Sequence, residues 1–231
     1  MTILDTIKLV CPFIGLDVPL EVYSSTDRAM VELQGVANDV AEGIAAAYDW
    51  SLLTVLATNT GDGSTEDFTL PTDYFRMPKK AQVWSSSLEA PLSHISDLDR
   101  WLGLDVQSFD FVVNAWTIYG GQIHIKPALA TGVTAKHWYQ SILLVTDEAS
   151  ANQATFTADT DVFRLNDRLL MLGIVARWRE QKGLPYAEDM DRFEDLKSKL
   201  MSADKGSRLI RIGQARMPKG VVQSYPQSVG I

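Results

Sequence analysis

The sequence predicts an α+β fold: a helical bundle, interrupted by a β-rich insertion and followed by an extended arm. Three observations carry this reading. Apolar residues recur at helical spacing near both ends of the globular part, the text between about residues 60 and 145 alternates in twos, and no Asp or Glu follows Asp204. The resulting division is 1–58 for two N-terminal helices, 59–147 for the insertion, 148–204 for a C-terminal helical hairpin and 205–231 for the arm. At 231 residues, 46 % apolar and 22 % charged, the chain has the composition of one large domain or one domain with an insertion.

The first helix is read from Ile3, Ile7, Val10 and Ile14 and stops at Gly15 and Pro19. In the second, Ser24–Thr26 offers an N-cap, Asp27 sits in the first turn, and Met30, Leu33, Ala37, Val40, Ala41 and Ile44 form one apolar stripe. Gly35 and Gly43, with Ala41, Ala45 and Ala46, allow close approach by a neighbouring helix or subunit, although helix propensity alone accounts for the alanines.

Composition changes at Asn59. Thr60–Ser64 is turn chemistry, Phe68–Leu70 reads as a short strand stopped by Pro71, and Ala81–Ser86 and Pro91–Ile95 are further candidates. A capped short helix starts near Ser96–Asp99 and carries Leu98, Trp101 and Leu102. The clearest hairpin is Trp116–Pro127, whose Gly120-Gly121 pair suits a primed two-residue turn and whose Ile118 pairs with Ile123 or Ile125. Thr134–Ile142 alternates again. Asn166 then caps a helix that Lys182-Gly183-Leu184-Pro185 ends, and Glu188 and Asp189 open another with Met190, Phe193, Leu196, Leu200 and Met201 on one face.

The chain shows no enzyme signature, and no cofactor, metal or catalytic residue is assigned. His94, His124 and His137 lie in predicted strands without zinc-ligand spacing. The single Cys11 has no basic partner nearby, excludes an internal disulfide framework and suits a reducing cytosol. Asp159–Phe163 lacks the third oxygen and the glycine of a calcium loop, and Gly61-Asp62-Gly63 is a turn, not a phosphate loop. The carboxylates Glu188, Asp189, Asp191, Glu194 and Asp195 read as a solvated or partner-facing helix side. Trp84, Trp101, Trp116, Trp138 and Trp178 are expected in the core or packed on sheets; Trp50 is either core or interface. Neither a membrane-spanning run nor a signal peptide is read.

Charge is segregated. Five of the 21 Lys and Arg and none of the 29 Asp and Glu fall in Lys205–Ile231, so the arm carries +5 and residues 1–204 carry −13. The overall net charge of −8 argues against a general nucleic-acid coat. Within the arm, Lys205, Arg208, Arg211, Arg216 and Lys219 alternate with Leu209, Ile210, Ile212, Met217, Val221, Val222 and Tyr225. Apolar content of this kind favours a docking arm over a merely solvated terminus.

These residues together resemble the head–tail adaptor (connector, head-completion) proteins of tailed bacteriophages. The resemblance is carried by Ala47–Trp50, by Leu70–Tyr74, by the hairpin Tyr119–Pro127, and by Gly132 with His137-Trp138-Tyr139. It implies a structural virion protein at the head–tail interface, present in the host cytoplasm during assembly. About a dozen copies would form a ring under the portal that extends the DNA channel and offers the tail a docking surface. The implied partners are the portal protein, neighbouring copies, a tail-side protein, and DNA that passes without specific binding; no membrane is implied. Residues 205–231 would be the portal-binding arm, and extended they span roughly 90 Å. Inter-subunit candidates are Gly35, Gly43, Trp50, Tyr119, Gly120 and Gly121. Two other readings stay open: a tail terminator or stopper ring, and a nucleic-acid-binding module that uses the basic arm.

Overall fold

The computed structural model describes residues 1–106 and 114–205. The fold is mixed α+β. Helices α1 (Ile3–Ile14) and α2 (Arg28–Ala47) come first, then three sheets with a short helix α3 (Leu98–Val106), then α4 (Asp167–Gln181) and α5 (Ala187–Asp204).

Local chemistry sets the helix ends. Thr2 caps α1 by accepting from Asp5 N–H, and Gly15 closes it at φ +76°, a conformation that glycine adopts without a Cβ clash. The second helix begins later than Ser24–Thr26 suggests. Asp27 is its cap rather than a first-turn residue, because its carboxylate accepts from Ala29 N–H at 3.2 Å. Asn166 caps α4 through Leu169 N–H, and Gly183 follows at φ +68°.

Helices α1, α2 and α5 each pack on α4. Polar contacts give their directions. The N-terminal ammonium pairs with Asp167 and the Phe13 carbonyl accepts from Arg179, so α1 runs parallel to α4. Asp39 pairs with Arg177 and Glu32 with Lys182, so α2 runs the other way, and α5 returns as the second arm of a hairpin. The predicted stripe of α2 is buried throughout and joins Ile3, Ile7, Val10, Leu169, Leu170 and Ile174 in the largest core. Gly173 permits the closest approach: a Cβ there would lie 2.5 Å from Val40 Cγ1 and 3.0 Å from Phe193 Cε2.

Three small strands that the sequence reading missed, β10 (Val145–Thr146), β11 (Asn152–Gln153) and β12 (Val162–Phe163), form a sheet beside this core. Leu144, Val145, Phe156 and Phe163 join the helices in it. Two-residue strands are too short to show a period. The Asp159–Phe163 carboxylates act as backbone caps. Asp159 accepts from Val22 and Tyr23 N–H, and buried Asp161 from Thr157 and Ala158 N–H.

The β-rich part starts earlier than the turn-rich text at Asn59. Strand β1 (Thr54–Thr60) runs antiparallel to β9 (Thr134–Ser141) over its whole length. With β3 (Tyr74–Arg76), β4 (Trp84–Ser85) and β5 (Ala90–Pro91) they make a five-stranded sheet. A second sheet orders β2 (Asp67–Thr69), β8 (Gln122–Lys126), β7 (Ala115–Tyr119) and β6 (Ser93–His94), of which only the β6–β7 pair is parallel. The expected strand Pro91–Ile95 is thus divided between two sheets. Val83, just before β4, and Ala135 of β9 meet Trp116, Ile123 and Ile125 from the second sheet in a shared core. The β7–β8 hairpin has Ile118 opposite Ile123, with Gly120 and Gly121 at φ +59° and +76°. Between β1 and β2, Gly61 lies against the Leu129 backbone, where a Cβ would come within 2.4 Å of the carbonyl oxygen.

Candidate interaction surfaces

The motif residues that carried the resemblance act as internal pins. Asp49 pairs with Arg76 and also accepts from Lys79 N–H at 2.8 Å, while Arg76 donates to the Tyr48 carbonyl at 3.1 Å. This attaches the end of α2 to β3. Asp73 in turn accepts from the Tyr139 hydroxyl at 2.7 Å, and its carbonyl accepts from Ile142 N–H. Burial, helped by the Asp73 carboxylate, pushes the Tyr139 phenol up to about 12. Trp50 is only 5 % exposed and donates its indole N–H to the Ile44 carbonyl at 2.8 Å. Its ring is therefore used within its own core and offers no surface to a neighbour.

Other inter-subunit candidates are at the surface. Gly35 and Gly43 lie on the open side of α2, where an added Cβ would meet nothing within 4 Å. The hairpin tip Tyr119-Gly120-Gly121 is exposed, with the Tyr119 ring stacked on His124 at 3.7 Å between centroids. His124 is itself held by Asp67 at 2.6 Å. His137 is buried at 1 % exposure with neither ring nitrogen partnered, and burial lowers its pKa. Cys11 is buried within the helical core, which pushes its thiol up. Among the described residues no group of three or more His, Cys, Asp or Glu could hold a metal ion. None of their helices is long and apolar enough to cross a membrane.

Of the arm, only Lys205 lies within the described residues; Arg208, Leu209, Ile210, Arg211, Ile212, Arg216, Met217, Lys219, Val221, Val222 and Tyr225 lie outside them. The Asp204 carboxylate accepts from Ser51 N–H and hydroxyl, and Lys205 Nζ stands 5.1 Å from the centre of the Tyr48 ring.

Two of the tryptophans expected in the core or packed on sheets stand on strands but are half exposed. Trp84 and Trp138 are 49 % and 51 % exposed. On β9 the inward parity belongs to Ala135, His137 and Tyr139, which leaves Lys136 and Trp138 on the outer face. The charge of Lys136 is the sequence signal that could have revealed this. Beside Trp138 lies an open cleft of about 420 Å³, lined also by Ser51, Lys79, Lys80 and Lys205. Asp189, expected on a solvated or partner-facing helix side, is 7 % exposed because Arg179 pairs with it at the α4–α5 turn. In comparisons with known families, the SU10 adaptor protein model matches residues 1–220. No curated protein matches the chain.

Proposed function

The chain belongs to the SU10 adaptor protein family, a phage head–tail adaptor family, and on that premise we propose how this adaptor works. Copies of the chain form a ring under the portal, extend the DNA channel and present the surface on which the tail docks. The helices of 1–58 and 148–204 build the ring, and the β-rich residues 59–147 make lateral or tail-side contacts. Lys205–Ile231 binds the portal.

One observation carries the arm assignment. The last acidic side chain of the sequence, Asp204, is tied to Ser51 at the end of α5, and every side chain after it is cationic or neutral. A +5 segment is steered toward acidic surfaces, and the apolar residues interspersed with its cations give it docking chemistry that a merely solvated terminus lacks. The test is to delete 205–231, which leaves the Asp204 anchor intact. The truncated chain is expected to fold, to keep its helical far-ultraviolet signal and to lose capture by immobilised portal. Portal binding equal to that of the full chain overturns the assignment.

A further inference from the structure

Two exposed apolar surfaces on the β-rich part have complementary chemistry. The first is the outer face of the β1–β9–β4 sheet. Leu56 stands opposite Trp138 and Trp84 opposite Lys136, so the four side chains share one side of the sheet. Leu56, Trp84 and Trp138 are all about half exposed. Lys79, Lys80 and Lys205 line the adjoining cleft. No carboxylate of the described residues lies within ion-pair distance of these lysines or of Lys136, whereas Arg76, Arg177, Arg179, Lys182, Lys197 and Lys199 each hold one.

The second surface is α3. Its Trp101 faces inward, with Ile95 and Ala115. Leu98, Leu102 and Val106 are 52 %, 59 % and 74 % exposed, and their i, i+4, i+8 spacing makes one uncovered apolar stripe. The helix and its cap carry Asp97 and Asp99 against the single Arg100, so the charge there is opposite to that of the lysine-rimmed face. Half-exposed tryptophans flanked by cations suit an apolar helix face with acidic edges.

We propose that the tryptophan face of one copy receives the α3 stripe of a second copy. Different patches meet, so the contact is heterologous: it propagates from copy to copy and gives a ring where the rotation closes. This deepens the ring reading by naming its lateral contact. It is separable from the portal assignment, because the portal capture measures the arm and not this face.

The experiment uses the full chain in sedimentation equilibrium, with Trp138→Ala as the face variant and a Leu98→Ser, Leu102→Ser double substitution as the stripe variant. Wild type is expected to form species larger than a dimer as concentration rises, and each variant alone is expected to associate about 30-fold or more weakly. An equimolar mixture has one intact face and one intact stripe, so it should stop at a dimer of twice 25.6 kDa. If Trp138→Ala does not fold by circular dichroism, Lys79→Glu with Lys80→Glu replaces it. The proposal is overturned by a wild type that stays monomeric at millimolar concentration. It is equally overturned by a variant that assembles like wild type, or by a mixture that yields no dimer. Binding of a short fluorescent oligonucleotide that Lys79→Glu with Lys80→Glu abolishes, without self-association, would assign the face to nucleic acid and overturn it too.

Discussion

The carboxylate of Asp204 accepts two hydrogen bonds from Ser51, from the backbone N–H at 2.9 Å and from the hydroxyl at 2.7 Å. The pair fastens the last turn of α5 to the turn that follows α2. It closes the helical layer at the last acidic side chain of the sequence.

Asp204→Ala should therefore lower stability by about 1 kcal/mol, since both bonds are solvent-accessible. The loss is read from the guanidinium unfolding midpoint. Hydrogen exchange should show the last turn of α5 opening faster, and unchanged exchange there would disprove the anchoring role.

Asp49 is more deeply placed than Asp204, and Arg76 and Lys79 N–H both depend on it. Asp49→Ala is expected to cost about 2–3 kcal/mol, because it strands a half-buried guanidinium and an amide. Limited proteolysis should then cut first between α2 and β3. Wild-type resistance in that stretch would show that the pin is dispensable.

Gly173→Ala places a methyl against Val40 and Phe193. Overpacking of this kind should cost about 1–3 kcal/mol, because β-branched Val40 has little rotamer freedom within a helix. Combining it with Val40→Ala should recover part of the loss in thermal melts. Strict additivity of the two changes would mean that they do not share this space.

His137 gives a pH dependence with a definite sign. Burial lowers its folded pKa, so below about pH 6.5 the unfolded chain takes up a proton that the folded chain refuses. Stability is unaffected by this group above that pH and falls as pH drops, by at most about 1.4 kcal/mol per pH unit, until the folded pKa is reached. Denaturant titrations between pH 5 and 7 should show a smaller slope in His137→Leu than in wild type. Equal slopes would place the pH dependence elsewhere.

Elements that depend on near neighbours in sequence were legible. The stops at Gly15 and Gly183 and the Asn166 cap follow from local backbone chemistry. The Gly120-Gly121 turn determines its own register, which places Ile118 against Ile123. The Asp27 cap was displaced by a residue or more because Ser24, Ser25, Thr26 and Asp27 are all competent caps and only tertiary packing selects one. Strand β1 was hidden for a different reason. Its partner β9 lies some eighty residues on, with Thr54 opposite Gln140, and Thr54–Thr60 shows little alternation of its own. The burial of Asp189 likewise depends on Arg179 across the connection between α4 and α5.

By itself the sequence determined the run of helices, the hairpin and the separation of a cationic end from an acidic body. These depend on side-chain periodicity, turn stereochemistry and formal charge, which are short-range or additive properties. Only the tertiary structure decided that Trp50 is internal while Trp84 and Trp138 face outward, and that Leu98 and Leu102 of α3 remain uncovered. Exposure depends on which distant strands become neighbours and on which side of a sheet the core forms.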